Sequence, residues 1–253
     1  MTTVQLLDLA IRAAQSASAE ILNVYNANDF QVELKGDQSP LTRADKQAHE
    51  AIAAELATSG YPVLSEEGRS IPYAERAAWE FFWMVDPLDG TKEFIKRNDE
   101  FTVNIALIHR GKPVLGVVAV PVTGDIYFAS AGAGATLRRK GQDISLTRRA
   151  PLNLAAHGLR VVASRSHMSA ATEQFISKLN NATLVSAGSS LKFMLLAEGK
   201  ADLYPRFGPT MEWDTAAAHV IVNEVGMKVL RDNDDVELVY NKENLLNPDF
   251  LVK

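Results

Sequence analysis

Residues 79–85 read Trp-Glu-Phe-Phe-Trp-Met-Val and run straight into Asp86-Pro87-Leu88-Asp89-Gly90-Thr91. A run this bulky and apolar predicts a buried strand that ends at Asp86-Pro87. Three β-rich segments follow, Thr102 to His109, Pro113 to Pro121 and Ile126 to Ser130, separated by Arg110-Gly111 and Thr123-Gly124. Turn signals at that spacing predict an antiparallel meander, the sheet of an N-terminal lobe. Ahead of it, Leu7, Ala10, Ile11, Ala14, Ile21, Val24 and Tyr25 recur at helical spacing, predicting an amphipathic helix over residues 4–25. A second helix is expected from Arg43 to Thr58, with Thr42 as N-cap and Asp45 at its third position. A turn-rich stretch from Arg138 to Leu154 leads into alternating elements. These are strand Leu159 to Ala163, helix Ser169 to Leu179, strand Thr183 to Ser186, helix Ser190 to Glu198, strand Ala201 to Arg206 and helix Met211 to Val225. The pattern predicts two lobes, residues 1–137 and 138–253, each pairing sheet with helices and enclosing a ligand cleft between them.

Composition removes several functions. The 253 residues carry 26 Lys plus Arg against 31 Asp plus Glu, a net charge of -5 that argues against binding a nucleic-acid polymer through a basic face. Cysteine is absent, which excludes disulfides, thiolate zinc sites, iron–sulfur clusters and cysteine nucleophiles. Any metal must be held by oxygen or by histidine. The segment Met1 to Glu20 lacks a basic-then-apolar leader profile, and no stretch approaches the roughly 20 apolar residues of a spanning helix. A cytoplasmic protein without a transmembrane segment is expected. Peripheral association with the inner membrane face, and the choice between monomer and homodimer, stay open.

Asp86 and Asp89 stand three residues apart at the end of the aromatic strand. If Pro87 and the turn bring the second acid back beside the first, hard oxygen ligands converge on one point, a donor set that suits Mg²⁺. Gly90 and Thr91 then open a short helix, whose free N–H groups favour a phosphate. Taken alone, Asp-Pro-Leu-Asp-Gly is equally a surface turn. Glu66-Glu67 after Pro62-Val63-Leu64 is equally a solvated loop, and Asp214 after Trp213 is equally a partner of the helix dipole.

Together the segments are more specific. Ser65-Glu66-Glu67-Gly68, Asp86 to Thr91 and Trp213-Asp214-Thr215-Ala216-Ala217, with Lys35 to Asp45 before them, resemble in order and spacing the signatures of the lithium-sensitive, magnesium-dependent phosphomonoesterases. That group comprises the inositol monophosphatases, fructose bisphosphatases and 3′(2′),5′-bisphosphate nucleotidases. The resemblance implies their α+β/α/β fold, a two-lobed layered αβαβα sandwich. It also implies two or more Mg²⁺ ions, one on Glu66, Asp86 and the Leu88 carbonyl, a second on Asp86, Asp89 and Asp214. By the same resemblance Asp45, Thr91 and Glu66 are catalytic, with Thr91 and Asp45 orienting the attacking water. The Gly90 and Thr91 amides hold phosphoryl oxygens, and Li⁺ inhibits.

Substrate choice is expected from the second lobe. Gly188-Ser189-Ser190-Leu191-Lys192-Phe193 opens a helix, and a cation in its first turn opposes the dipole unless an anion binds there. With Arg206, these residues read as a clamp for a second phosphate, or as no more than a hydroxyl cap and a solvated lysine. Here the sequence is similar to the bacterial bisphosphate nucleotidases, as are Asp202 to Thr210 and Ser164-Arg165-Ser166-His167. That likeness implies 3′-phosphoadenosine 5′-phosphate as substrate, cleaved to AMP and phosphate. Substrate contacts then fall to Glu66, Leu88, Asp89, Gly90, Thr91 and Asp214 on the metal side. Ser189, Ser190, Lys192 and Arg206 would hold the second phosphate, and Ser164 and His167 would lie near the nucleoside. The alternatives are an inositol-phosphate or sugar-phosphate phosphatase and a non-catalytic nucleotide or metal sensor.

Overall fold

The computed structural model describes residues 1–27, 30, 32–34, 40–163 and 168–253. Helices α1, Thr3–Ala27, and α2, Arg43–Leu56, flank the two-residue strands β1, Glu33–Leu34, and β2, Pro40–Leu41. α1 buries Leu9, Ala10, Ala14, Ala17, Ile21 and Val24, the stripe that its three- and four-residue spacing dictates. α2 starts in a reciprocal cap. Ala44 N donates to Thr42 Oγ1 at 3.2 Å, while Asp45 Oδ2 accepts from Thr42 N at 2.7 Å.

Next come β3, Val63–Ser65, α3, Tyr73–Arg76, β4, Phe81–Asp89, and α4, Thr91–Ile95. They are followed by β5, Thr102–His109, β6, Lys112–Val120, β7, Asp125–Ser130, β8, Ala135–Arg139, and β9, Gln142–Ser145. These strands form one sheet in the order β3-β4-β5-β6-β7-β8-β9. β3 runs parallel to β4, and the remaining neighbours are antiparallel. Successive side chains alternate between faces, so Phe82, Met84, Ala106 and Ile108 enter one core and Trp83, Val85, Ile105 and Leu107 the other. Burial contributes about 1.5–3 kcal/mol for a side chain such as Phe82. α1 and α2 cover the Trp83 face.

The second half supplies β10, Arg160–Ala163, α5, Ala170–Ser177, β11, Thr183–Ser186, α6, Leu191–Ala197, β12, Tyr204–Arg206, α7, Glu212–Glu224, β13, Val229–Arg231, and β14, Phe250–Val252. α6 and α7 pack on the Phe82 face. α7 passes β6 so closely that a β-carbon at Gly116 would stand 2.2 Å from the Ala217 carbonyl oxygen, and only glycine permits that approach. Beyond the helices lie the sheet β12-β14-β13 and the parallel pair β10-β11, linked by a Val161–Leu203 bridge. α5 closes the stack by setting Phe175 and Ile176 against Leu159, Val161, Leu203 and Leu251. Helices, large sheet, helices, small sheets and helix make the expected five-layer αβαβα sandwich.

Two segments differ from expectation. β4 continues through Asp86-Pro87 to Asp89, and its pairing slips: Asp86 faces Asn104 but Asp89 faces Thr102. Three steps on β4 therefore match two on β5, the extra residue of a β-bulge. In a regular strand positions i and i+3 point to opposite faces, and the bulge brings both acids to one. A bulge, rather than a turn, converges them. Pro87 sits at the irregularity, where its missing N–H costs no ladder bond. The second difference is the stretch from Arg138, which carries the β8–β9 hairpin, so the large sheet extends past residue 137 to Ser145. β9 is exposed at every position and shows no apolar alternation to read. Its turn takes positive φ at Lys140 and Gly141, 52° and 75°, as a two-residue hairpin requires.

Candidate active site

The parallel pairing of β3 and β4 sets their C-terminal ends side by side, and Glu66 N donates to the Val85 carbonyl at 3.1 Å. Glu66 thereby stands next to Asp86, which is 2% exposed. Asp214 arrives from the first turn of α7, where its Oδ2 accepts from Met211 N at 2.9 Å. Carboxylate oxygens of Glu66, Asp86 and Asp214 lie within 4.8 Å of one another. Burial raises the Asp86 pKa well above its ordinary value, and the charges of Glu66, Asp89, Asp214 and Asp45 add to that rise. Burial likewise raises Asp214, with Asp89 and Glu66 adding to it. A converging, oxygen-only donor set whose members resist ionising together is the chemistry that a hard divalent cation satisfies. Glu66, rather than its neighbour Glu67, is the member that joins the group.

Asp89 stands somewhat apart. Its Oδ2 accepts from Ser190 Oγ at 3.0 Å and from Asn104 Nδ2 at 3.3 Å, and it lines the same cleft as the other three acids. Leu88 N donates to Asp86 Oδ1 at 3.0 Å, which folds the bulge around the buried carboxylate. Gly90 has φ of 96° and ends the strand by turning the chain into α4. This turn presents Thr91, whose hydroxyl donates to Asp45 Oδ1 at 3.0 Å, with the Leu88 carbonyl as a second acceptor at 3.3 Å. Asp45 Oδ2 is held by Thr42 N and by the Thr42 hydroxyl at 2.7 and 2.6 Å. The cap of α2 therefore also fixes Thr91, since one carboxylate both caps the helix and accepts from the Thr91 hydroxyl.

The acidic cleft, about 370 Å³, adjoins a cavity of about 200 Å³, and Asp89, Gly90, Glu93 and Asp214 line both. Ser189, Lys192, Tyr204 and Arg206 line the second cavity. Lys192 Nζ stands 6.0 Å from the centre of the Tyr204 ring. Burial lowers its pKa, although the Asp89 charge acts in the opposite direction. Arg206 donates to the Pro209 carbonyl at 3.0 Å, while its Nε and the Ser189 hydroxyl are buried without hydrogen-bond partners among the described residues. Unmatched donors beside a half-buried cation suit an anion. Ser190 does not serve as a hydroxyl cap for α6 and instead turns towards Asp89. Ser164 and His167, with Lys35 to Ser39, lie outside the described residues. His219 is buried away from the acids, its Nδ1 2.8 Å from the Tyr240 hydroxyl.

Other residues contribute without having been singled out in the sequence. His49 lies one helical turn after Asp45, and its Nδ1 is 2.9 Å from Ser65 Oγ, beside Glu66. Glu93, Asn98 and Glu100 line the smaller cavity. Thr102 and Asn104, 0% and 1% exposed, stand at the head of an otherwise apolar strand. Polar positions in so buried a run were the available signal.

The model of the inositol monophosphatase family matches residues 3–249. The chain is 45% identical over 251 residues to the 3′(2′),5′-bisphosphate nucleotidase CysQ of Escherichia coli O157:H7, covering 98% of this chain and 99% of that one. The Salmonella typhimurium CysQ is 44% identical over 251 residues, with the same two coverages. Among solved structures, CysQ from Bacteroides thetaiotaomicron superposes with a TM-score of 0.86 at 49% identity, over 98% of this chain and 97% of its own. The Thermotoga maritima inositol monophosphatase shares the fold, with a TM-score of 0.78 at 21% identity over 98% and 92%. No helix among the described residues is long and apolar enough to cross a membrane.

Proposed function

Since the chain belongs to the inositol monophosphatase family, we propose that it is a metal-dependent 3′(2′),5′-bisphosphate nucleotidase that hydrolyses 3′-phosphoadenosine 5′-phosphate to AMP and phosphate. The observation that carries this reading is the pairing of an acidic cleft with an adjoining cavity that holds Lys192, Arg206 and Ser189. A bisphosphorylated substrate needs both: carboxylates to hold cations at the reacting phosphate, and fixed cationic donors for the phosphate that stays.

Glu66, Asp86, the Leu88 carbonyl, Asp89 and Asp214 would hold the ions, and the buried, mutually repelling carboxylates fit that role. Mg²⁺ bound there supplies a water of lowered pKa and neutralises charge on the phosphoryl oxygens. The proton path uses this chain's own groups. Thr91 Oγ1 points its proton at Asp45 Oδ1 and can pass it there as its lone pair takes the proton of the attacking water. Asp45 stays an acceptor because Thr42 occupies its other oxygen with two donors. The Gly90 and Thr91 amides, at the start of α4, are placed to hold phosphoryl oxygens as charge builds on them. Lys192, Ser189 and Arg206 then orient the substrate by the spectator phosphate, and inhibition by Li⁺ is expected of the same metal site.

Product analysis tests the assignment. Incubation of the purified protein with 3′-phosphoadenosine 5′-phosphate and Mg²⁺ should release one phosphate and leave adenosine 5′-monophosphate, with suppression by Li⁺. Release of adenosine 3′-monophosphate would place the wrong phosphate at the acids and overturn the orientation.

A further inference from the structure

At the seam between the large sheet and α6, three buried polar side chains surround the half-buried Asp89. Asn104, Thr102 and Ser190 are each at most 1% exposed, and all three approach Asp89 Oδ2. The chemistry fixes the orientation of the Asn104 amide. Thr102 Oγ1 donates to Asn104 Oδ1 at 3.1 Å, so Nδ2 is the atom turned towards the Asp89 carboxylate, which can only accept. The same Nδ2 donates to Ser190 Oγ at 2.9 Å. Ser190 spends its single proton on Asp89 Oδ2 or on the Asp214 carbonyl, both at 3.0 Å. Every one of these bonds to Asp89 falls on Oδ2, which leaves Oδ1 for the cleft. The network also ties β5 to the start of α6, two residues before Lys192.

We propose that Asn104 is a positioning residue that uses its Nδ2 to lock Asp89 and Ser190 together, and so sets the affinity of the ion to which Asp89 contributes. The inference rests on the reading of Asp89 as a ligand of a second ion. Outer partners of ligating carboxylates fix which oxygen faces the metal, and their loss typically costs 10- to 100-fold in affinity. Glu66, Asp86 and the Leu88 carbonyl, which would hold the other ion, make none of the hydrogen bonds of this network, so that ion should keep its affinity.

The test is Mn²⁺ binding to metal-stripped protein, followed by electron paramagnetic resonance of the free ion, with thermal stability measured alongside. Wild-type protein should bind two Mn²⁺. In Asn104→Leu and Ser190→Ala, one dissociation constant should rise about tenfold or more while the other stays within about twofold. A purely structural role would weaken both sites together, or lower thermal stability with neither constant changed. Either result overturns the inference. If Asn104→Leu does not fold, Asn104→Ser, which also removes the Nδ2 donor, takes its place and is read in the same way. A wild-type protein that binds a single Mn²⁺ overturns the two-ion reading and this inference with it. Two ions bound unchanged by the variants overturn the positioning role alone.

Discussion

Thr91 Oγ1 donates to Asp45 Oδ1 across 3.0 Å, although 46 residues separate the two. The contact joins the first turn of α4 to the capped start of α2, and it gives the hydroxyl a fixed direction. Thr91→Ala should therefore lower kcat by about 10²-fold or more with KM nearly unchanged, the range expected for loss of a positioned proton-transfer group. Thr91→Ser, which keeps the hydroxyl, should recover most of the rate. Equal kcat for Thr91→Ala and wild type would remove this pair from the mechanism.

Asp86 is a buried carboxylate surrounded by four others whose charges oppose its ionisation. Asp86→Asn should abolish phosphate release while raising the thermal stability of the EDTA-treated protein, because an unfavourable buried charge is gone. Added Mg²⁺ should then stabilise the variant less than wild type. Retained activity, or a variant less stable than wild type in EDTA, contradicts the role assigned to Asp86.

The same repulsion makes metal stabilisation depend on pH. Asp86 and Asp214 have folded-state values raised above the ordinary 3.8, so the ion-free folded protein binds protons more tightly than the unfolded chain. Their contribution is fully present below pH 3.8 and is lost as pH rises through the raised values. Cations relieve that loss. The rise in Tm produced by Mg²⁺ over EDTA should therefore be larger at pH 8 than at pH 5. A rise that is constant or larger at pH 5 contradicts the assignment.

Lys192 and Arg206 are read as partners of the phosphate that is not cleaved. Lys192→Met and Arg206→Met should each raise KM for 3′-phosphoadenosine 5′-phosphate by about 10- to 100-fold, from the loss of a charge-assisted hydrogen bond worth about 1.5–3 kcal/mol. The KM for adenosine 3′-monophosphate should change little. Equal effects on both substrates would show that these cations do not select the second phosphate.

Much of this site is legible in the chain because its parts sit at element ends with strong local signatures. Thr42 and Asp45 spell a helix start, and the aromatic run marks the strand that delivers Asp86. The bulge that turns Asp89 towards the same cleft as Asp86 is not legible, since it depends on the register against β5 and any extended residue can occupy it. The role of Asn104 is equally hidden. It acquires meaning only when α6 folds back to place Ser190 within 2.9 Å of its amide. β13 and β14, three residues each, escape for a simpler reason: they are too short to show a period, and tertiary pairing alone defines them.

An acidic metal centre and a cationic pocket that act together on one bisphosphorylated nucleotide should show in substrate preference. The most direct test compares kcat/KM for 3′-phosphoadenosine 5′-phosphate and inositol 1-phosphate, with Mg²⁺ and with EDTA. The nucleotide should be preferred by at least about 100-fold, the worth of one or two charge-assisted contacts to the second phosphate, with no turnover in EDTA. A preference for the inositol ester, or turnover that survives EDTA, contradicts that joint action.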